Sequence, residues 1–297
     1  MSDGGRAPFA GAPGMAGMPP ACRIATSFQP IFSVHSSALA GFEALARPVS
    51  ESGVPIPVSD FFASRSVVEL ARIDRECRRA HLSRFARLDE GRGLLFLNVH
   101  PRALLADASE DLRTELGLLG LPPARVCIEV LEDESGDEGL LAEAVALCRE
   151  TGIRVAMDDF GIARSNFDRV AALLPDFVKI DRSLLAETMG CTKASRLLPS
   201  AIRVLHDAGA QVVVEGIEEA PEALCAIEAG ADFVQGFYFG VPRAALVVDP
   251  MATDFICRLK RLRNACEREA EDCGVSNAVA CLARLLEGGP RALGAAD

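Results

Sequence analysis

Lysine is almost missing from this chain: of its 31 basic side chains only Lys179, Lys193 and Lys260 are lysines, so the placement of each is informative. Cysteine is present ten times but never as a C-x-x-C pair. The late group Cys257, Cys266, Cys273 and Cys281 fits no zinc spacing and has no histidine beside it. Reduced, mostly buried thiols in a cytoplasm are therefore expected. No stretch approaches the roughly 18 apolar residues of a membrane span. Positive charge is also short. The 42 acids against 31 bases leave a net charge of -11, which repels polyanions and argues against a general DNA, RNA or anionic-membrane binder.

What is present is enough for a large core: 297 residues, 49% hydrophobic and 25% charged. Residues 1–20 are rich in Gly, Pro, Ala and Met, without periodicity or the apolar core of a signal peptide, and are expected to be a disordered tail. From 21 to 248 short apolar runs alternate with helical patterns. The runs at 24–34, 41–45, 94–99, 126–130, 153–157, 177–180, 212–214 and 233–234 predict eight strands. Helical periodicity fills 59–88 (with breaks), 138–150, 194–208 and 221–229. This is the size and rhythm of an α/β, TIM-type (β/α)8 barrel. The first two runs are joined through Ser36 and Ser37 by only residues 35–40, too few for a crossover helix, so a hairpin and one antiparallel strand are predicted. Residues 249–297 read as a C-terminal helical extension. Phe255, Leu259, Leu262 and Cys266 form one apolar stripe, and Ser276 caps a second helix over 276–286. Packing on the barrel or on a second copy of the chain is expected for it, with contact to a signalling partner as the other use.

In such barrels the site forms where the strands end. The residues closing the runs are Glu43, Asn98, Glu129, Asp158 with Asp159, Lys179 with Asp181, Glu215 and Gln235. One acid at a strand end is ordinarily a solvated edge residue or a cap; a polar group on nearly every strand is not. So many carboxylates on one rim cannot all stay ionised without cations. Oxygen ligands without His or Cys favour hard ions, Mg²⁺ or Mn²⁺. Adjacent aspartates suit two ions and phosphodiester hydrolysis. His100, two residues past Asn98, is expected to face the loop.

At these residues the chain resembles the EAL-domain phosphodiesterases, which open cyclic di-GMP to linear pGpG. The resemblance runs over about 23–242 through Phe28-Gln29-Pro30-Ile31, Phe42-Glu43-Ala44-Leu45-Ala46-Arg47, Leu97-Asn98-Val99, Ile128-Glu129-Val130-Leu131-Glu132, Asp158-Asp159-Phe160-Gly161, Val178-Lys179-Ile180-Asp181, Val214-Glu215-Gly216-Ile217-Glu218 and Gln235-Gly236-Phe237-Tyr238-Phe239. It implies metal ligation by Glu43, Asn98, Glu129 and Asp158, with Asp159 toward a second ion. Glu215 is implied as metal-engaging base and Lys179 as catalytic lysine, with Asp181 its acidic partner near the substrate. Gln29, Arg47 and Gln235 are implied as substrate contacts, and Glu132 and Glu218 as braces of the loop after Asp159. The same resemblance implies a cytoplasmic signalling enzyme, commonly a homodimer, that uses Mg²⁺ or Mn²⁺ and is inhibited by Ca²⁺.

The departures are specific. Ile162-Ala163-Arg164-Ser165-Asn166 stands where the family usually has Thr-Gly-Tyr-Ser-Ser, Leu131 replaces a common threonine, and Ala46 and Pro48 replace a usual leucine and tryptophan. These leave a second function open beside the enzyme: an EAL domain of low or no turnover that senses cyclic di-GMP and signals through protein contacts.

Overall fold

The computed structural model describes residues 22–63, 66–91, 93–106, 109–130, 138–161, 167–190, 194–258 and 261. The expected tail, Leu131, Glu132, the loop at 162–166 and the helix at 276–286 lie outside the described residues.

Eight strands close a barrel in sequence order: β1 (Cys22–Ser33), β2 (Ala38–Ser50), β3 (Leu94–Val99), β4 (Val126–Val130), β5 (Arg154–Phe160), β6 (Phe177–Ile180), β7 (Gln211–Val214) and β8 (Phe233–Gln235). β1 is antiparallel to both β2 and β8, and every other pairing is parallel. The expected hairpin is present, turning through residues 34–37, with Ser37 at a left-handed φ of 54°. Two strands outrun the sequence expectation. β2 continues to Ser50 because it stays paired with β1 along its length. β5 continues through both aspartates to Phe160, with a bulge between Met157 and Phe160 that sets Asp158 and Asp159 of β5 against the single Lys179 of β6.

Among the described residues, helices α1 (Val58–Phe62), α2 (Val67–Leu88), α3 (Pro101–Ala106), α4 (Ser109–Leu119), α5 (Glu138–Thr151), α6 (Phe167–Leu173), α7 (Arg182–Gly190), α8 (Leu197–Asp207) and α9 (Ala220–Ala229) surround the barrel. The break inside 59–88 falls before Ser66, which caps α2 in a reciprocal box with Glu69. Residues 250–258 form a further helix whose start is capped by the Asp249 carboxylate, which accepts from Met251 N at 2.8 Å. Its Ala252, Phe255 and Ile256 are buried against the barrel; of the expected stripe only Phe255 is described. Cys77, Cys127 and Cys148 are buried, and Cys22, Cys225 and Cys257 are half-buried free thiols.

The barrel interior explains where the site lies. Ile31, Phe96, Cys127, Ala156, Phe177 and Val213 fill one apolar layer. Side chains alternate along a strand, so the next inward position is two residues on. Those positions are Gln29 on the reversed β1, then Asn98, Glu129, Asp158, Lys179 and Glu215. Gly41 precedes Glu43 by two in the same way, and a Cβ on it would meet Leu94 O at 2.4 Å, so β2 and β3 approach only because it is glycine. An apolar plug below and a polar ring above thus follow from one period-two pattern.

Candidate active site

The ring closes on Lys179. Its Nζ lies 3.0 Å from Glu129, 3.1 Å from Glu215, and 3.5 Å from both Glu43 and Asp158. Exposure rises from floor to mouth: side chains of Glu129 and Lys179 keep 0% and 1%, those of Asp158 and Glu215 19% and 21%. Burial alone would lower the Lys179 ammonium, but Glu129, Glu215, Glu43 and Asp158 push it well above its ordinary value. Glu129 and Glu215 are raised by burial, with Lys179 opposing the rise and the neighbouring carboxylates adding to it.

Amides hold the wall formed by β1, β2, β3 and β8. Asn98 Nδ2 donates to Glu43 Oε1 at 2.9 Å, and Gln235 Nε2 donates to Glu43 Oε2 at 2.6 Å and to Gln29 Oε1 at 3.3 Å. Gln29 Nε2 in turn donates to Gly240 O at 3.2 Å. Gly236 follows at φ 155°, and a Cβ there would fall 2.0 Å from Ile217 O, so the turn carrying Gln235 lies flat on the loop after β7.

The other expected residues stand apart from the ring. Asp159 is exposed on the rim with φ 55°, turned by the bulge, and its N donates to the Asp158 carboxylate at 2.9 Å. Asp181 caps α7 by accepting from Ser183 N at 2.7 Å. Glu218 pairs with Arg182 at 2.5 Å. Arg47 is exposed, with Nη1 donating to Ala46 O at 2.9 Å. His100 accepts from Arg102 N through Nδ1, as a loop-facing residue would.

A cavity of about 290 Å³ opens beside Arg47 and Asn98, lined on its far side by Phe62, Asp74, Cys77 and His81. The sequence reading passed over these last three. Positions 74, 77 and 81 share one face of α2, the signal that could have found them. His81 is buried, accepts or donates at 2.8 Å with Thr26 Oγ1, and is pushed down to about 4 by burial and by Arg47.

The donor set suits a divalent ion. Glu43, Asn98, Glu129, Asp158 and Glu215 offer hard oxygens, four carboxylates outnumber one ammonium, and among the described residues the buried Glu129 Oε1 faces only the Lys179 ammonium, 3.0 Å away. In this side-chain arrangement Lys179 Nζ takes the point of convergence, and among the described residues no three acidic, His or Cys groups stand ready around an ion.

Residues 19–242 match the family described as EAL domain. The chain belongs to the EAL family. Curated relatives of this EAL chain include the signalling protein YkoW of Bacillus subtilis, 28% identical over 229 residues, covering 74% of this chain and 28% of YkoW. Another is the cyclic di-GMP phosphodiesterase RocR of Pseudomonas aeruginosa, 31% identical over 151 residues, covering 50% of this chain and 38% of RocR. The chain thus spans well under two thirds of these relatives. Among solved structures it is similar to BlrP1 of Klebsiella pneumoniae, with manganese and cyclic di-GMP (28% identity, TM-score 0.66, 77% of this chain and 57% of that one) and with calcium and cyclic di-GMP (29%, 0.66, 77% and 58%). No helix among the described residues is long and apolar enough to cross a membrane.

Proposed function

We propose that this EAL domain hydrolyses cyclic di-GMP to linear pGpG, with Mg²⁺ or Mn²⁺, in bacterial second-messenger signalling. The observation that carries the proposal is the buried Lys179 ringed by Glu43, Glu129, Asp158 and Glu215. A ring of this charge suits a substrate whose reacting centre is a phosphate only when cations complete it. The ions would be held by Glu43, Asn98, Glu129, Asp158 and Glu215, with Asp159 toward a second one, and when bound they supply positive charge to the phosphodiester and acidify the attacking water.

The remaining roles belong to the chain. Glu215, at the mouth of the ring and raised by burial, takes a proton from that water as it adds to phosphorus. Lys179 balances charge on the phosphoryl oxygens as the P–O3′ bond breaks, and the departing O3′ takes up a proton to become the 3′-hydroxyl while Glu215 gives its own back to solvent. Arg47 grips a phosphate bidentately from the rim. Gln235, backed by Gln29, holds Glu43 in place, the two amides meet the nucleotide with the hydrogen-bonding capacity they have left, and Asp181 fixes the start of α7 just beyond Lys179. The resemblance gives Glu132 and Glu218 the further role of bracing the loop after Asp159. A homodimer, and a signalling partner reached through residues 249–297, belong to the same proposal, as does a cytoplasmic location.

A receptor without turnover is the second reading, favoured by the departure Ile162-Ala163-Arg164-Ser165-Asn166 from the family pattern. Incubating the purified chain with cyclic di-GMP in Mn²⁺, Ca²⁺ or EDTA separates the two. Linear product in Mn²⁺ and none in Ca²⁺ or EDTA supports the enzyme. Binding without product in every condition supports the receptor.

A further inference from the structure

Lys179 and Glu215 leave the barrel on neighbouring strands, and what fixes their separation lies just beyond it. β6 passes through Lys179, Ile180 and Asp181 into Arg182, the first residue of α7. β7 passes into Glu215, Gly216, Ile217 and Glu218 before α9 begins. The aliphatic stem of Arg182 lies against Gly216: a Cβ on Gly216 would meet Arg182 Cβ at 2.7 Å, and the residue sits at φ 67°, so neither the space nor the backbone admits a side chain there. The Arg182 guanidinium then divides its two ends. Nη1 pairs with Glu218 Oε1 at 2.5 Å and Nη2 donates to Glu222 Oε1 at 3.1 Å. The other oxygen of Glu222 accepts from the backbone N–H groups of Glu218 and Glu219 at 2.7 and 3.1 Å.

The far side of the same loop is already tied down. Ile217 N donates to Gln235 O at 3.1 Å and Tyr238 N donates to Ile217 O at 3.0 Å, while Glu215 N reaches Ile180 O at 3.0 Å. The β7–α9 loop is therefore held to β8 by its backbone and to α7 by one side chain. A single exposed ion pair holds little; a planar fork that joins two carboxylates, one of which also binds two loop amides, fixes an orientation as well.

We propose that Arg182 is a positioning residue for the reaction: by clamping the loop after β7 it sets the place of Glu215 beside Lys179, without touching the nucleotide. This rests on the phosphodiesterase reading above. Because Arg182 acts on the loop that carries Glu215 and not on the wall built from Gln29, Arg47 and Gln235, its loss lowers kcat and spares KM.

The test compares the parent with Arg182→Met, which keeps the stem and removes the fork, and with Arg182→Lys, which can pair with Glu218 or Glu222 but cannot bridge them. Turnover of cyclic di-GMP in Mn²⁺ and amide hydrogen exchange at Glu218 and Glu219 are read on the same preparations. Expected for Arg182→Met are a kcat lower by about tenfold, a KM within about twofold, and faster exchange at both amides; Arg182→Lys falls between it and the parent in both readouts. Parental kcat and exchange in Arg182→Met overturn the inference. So does an equal loss in the two variants that follows their melting temperatures, since that is a purely structural effect. A parent that makes no product refutes the phosphodiesterase reading instead, and the exchange measurement still decides whether Arg182 holds the loop.

Discussion

Lys179 Nζ stands 3.0 Å from the Glu129 carboxylate, and both side chains are shut off from solvent at the floor of the barrel mouth. Each is the condition for the other. Burial opposes either charge alone, and the pair persists because β4 and β6 deliver the two at the same height above the apolar plug.

Lys179→Met should therefore destabilise the fold as well as stop turnover. Removing one partner of a buried pair costs about 3–5 kcal/mol. Without the ammonium, the raised Glu129 and Glu215 rise further, so the loss is largest at high pH and narrows as the pH falls and the carboxyls protonate. Chemical denaturation of parent and variant at pH 8 and pH 5 checks this. An equal gap at both values would separate Lys179 from the carboxylates energetically.

Mn²⁺ should raise the melting temperature of the parent, and EDTA should reverse the rise. Binding to the folded state alone contributes about 2.7 kcal/mol at a hundred times Kd. The shift should grow from pH 6 to pH 8, because the ion competes with protons on Glu129 and Glu215. Glu129→Gln should abolish it. A shift that survives this substitution places the ion elsewhere.

His81 gives the fold an acid limit. Its imidazole is held neutral, down from 6.5 to about 4, by burial and by Arg47. A lowered value means that the unfolded chain takes up the proton first. The stability is present above pH 6.5 and is lost as pH falls from there toward 4, by about 3 kcal/mol over the whole interval. Denaturation midpoints of the parent and of His81→Gln across that window should diverge in slope; parallel curves would assign the acid loss to other groups.

Tyr238 is the only tyrosine, and the chain has no tryptophan, so its spectrum is its own. The ring packs on Phe255 of the helix at 250–258, centroids 4.8 Å apart, and its buried hydroxyl has no hydrogen-bond partner among the described residues. Burial pushes the phenol up from 10.0 to about 12. Absorbance titration should place it there in the folded protein, with the associated stability lost as pH climbs from 10 to 12. Tyr238→Phe should stabilise the fold by about 1 kcal/mol, since an unpaired buried hydroxyl is removed. An ordinary titration near 10, or a destabilised phenylalanine variant, would contradict this packing.

Much of this was legible in the sequence because a barrel converts strand periodicity into layers. Glu43, Asn98, Glu129, Asp158, Lys179, Glu215 and Gln235 were found as the polar ends of apolar runs, and the missing crossover around Ser36 and Ser37 announced the reversed β1. What was not legible depends on partners distant in sequence. Nothing local marks the bulge that turns Asp159 out of the ring, since it arises from pairing with β6. Asp74, Cys77 and His81 read as an ordinary helix face until β1 and β2 bring Thr26 and Arg47 against it. Arg182 looked like one arginine among many, and its meaning comes from Glu218 and Glu222, some forty residues later.

Glu43→Gln bears most directly on the central claim, because the glutamine keeps the shape of a side chain held by Asn98 and Gln235, removes its charge, and exchanges one of its two accepting oxygens for a donor that a flip of the Asn98 amide can meet. Cyclic di-GMP hydrolysis in Mn²⁺ should fall by about a thousandfold or more, while nucleotide binding in Ca²⁺ is retained and the fold is intact. Near-parental hydrolysis in Glu43→Gln would contradict the assignment of this ring as a metal-assisted phosphodiesterase site.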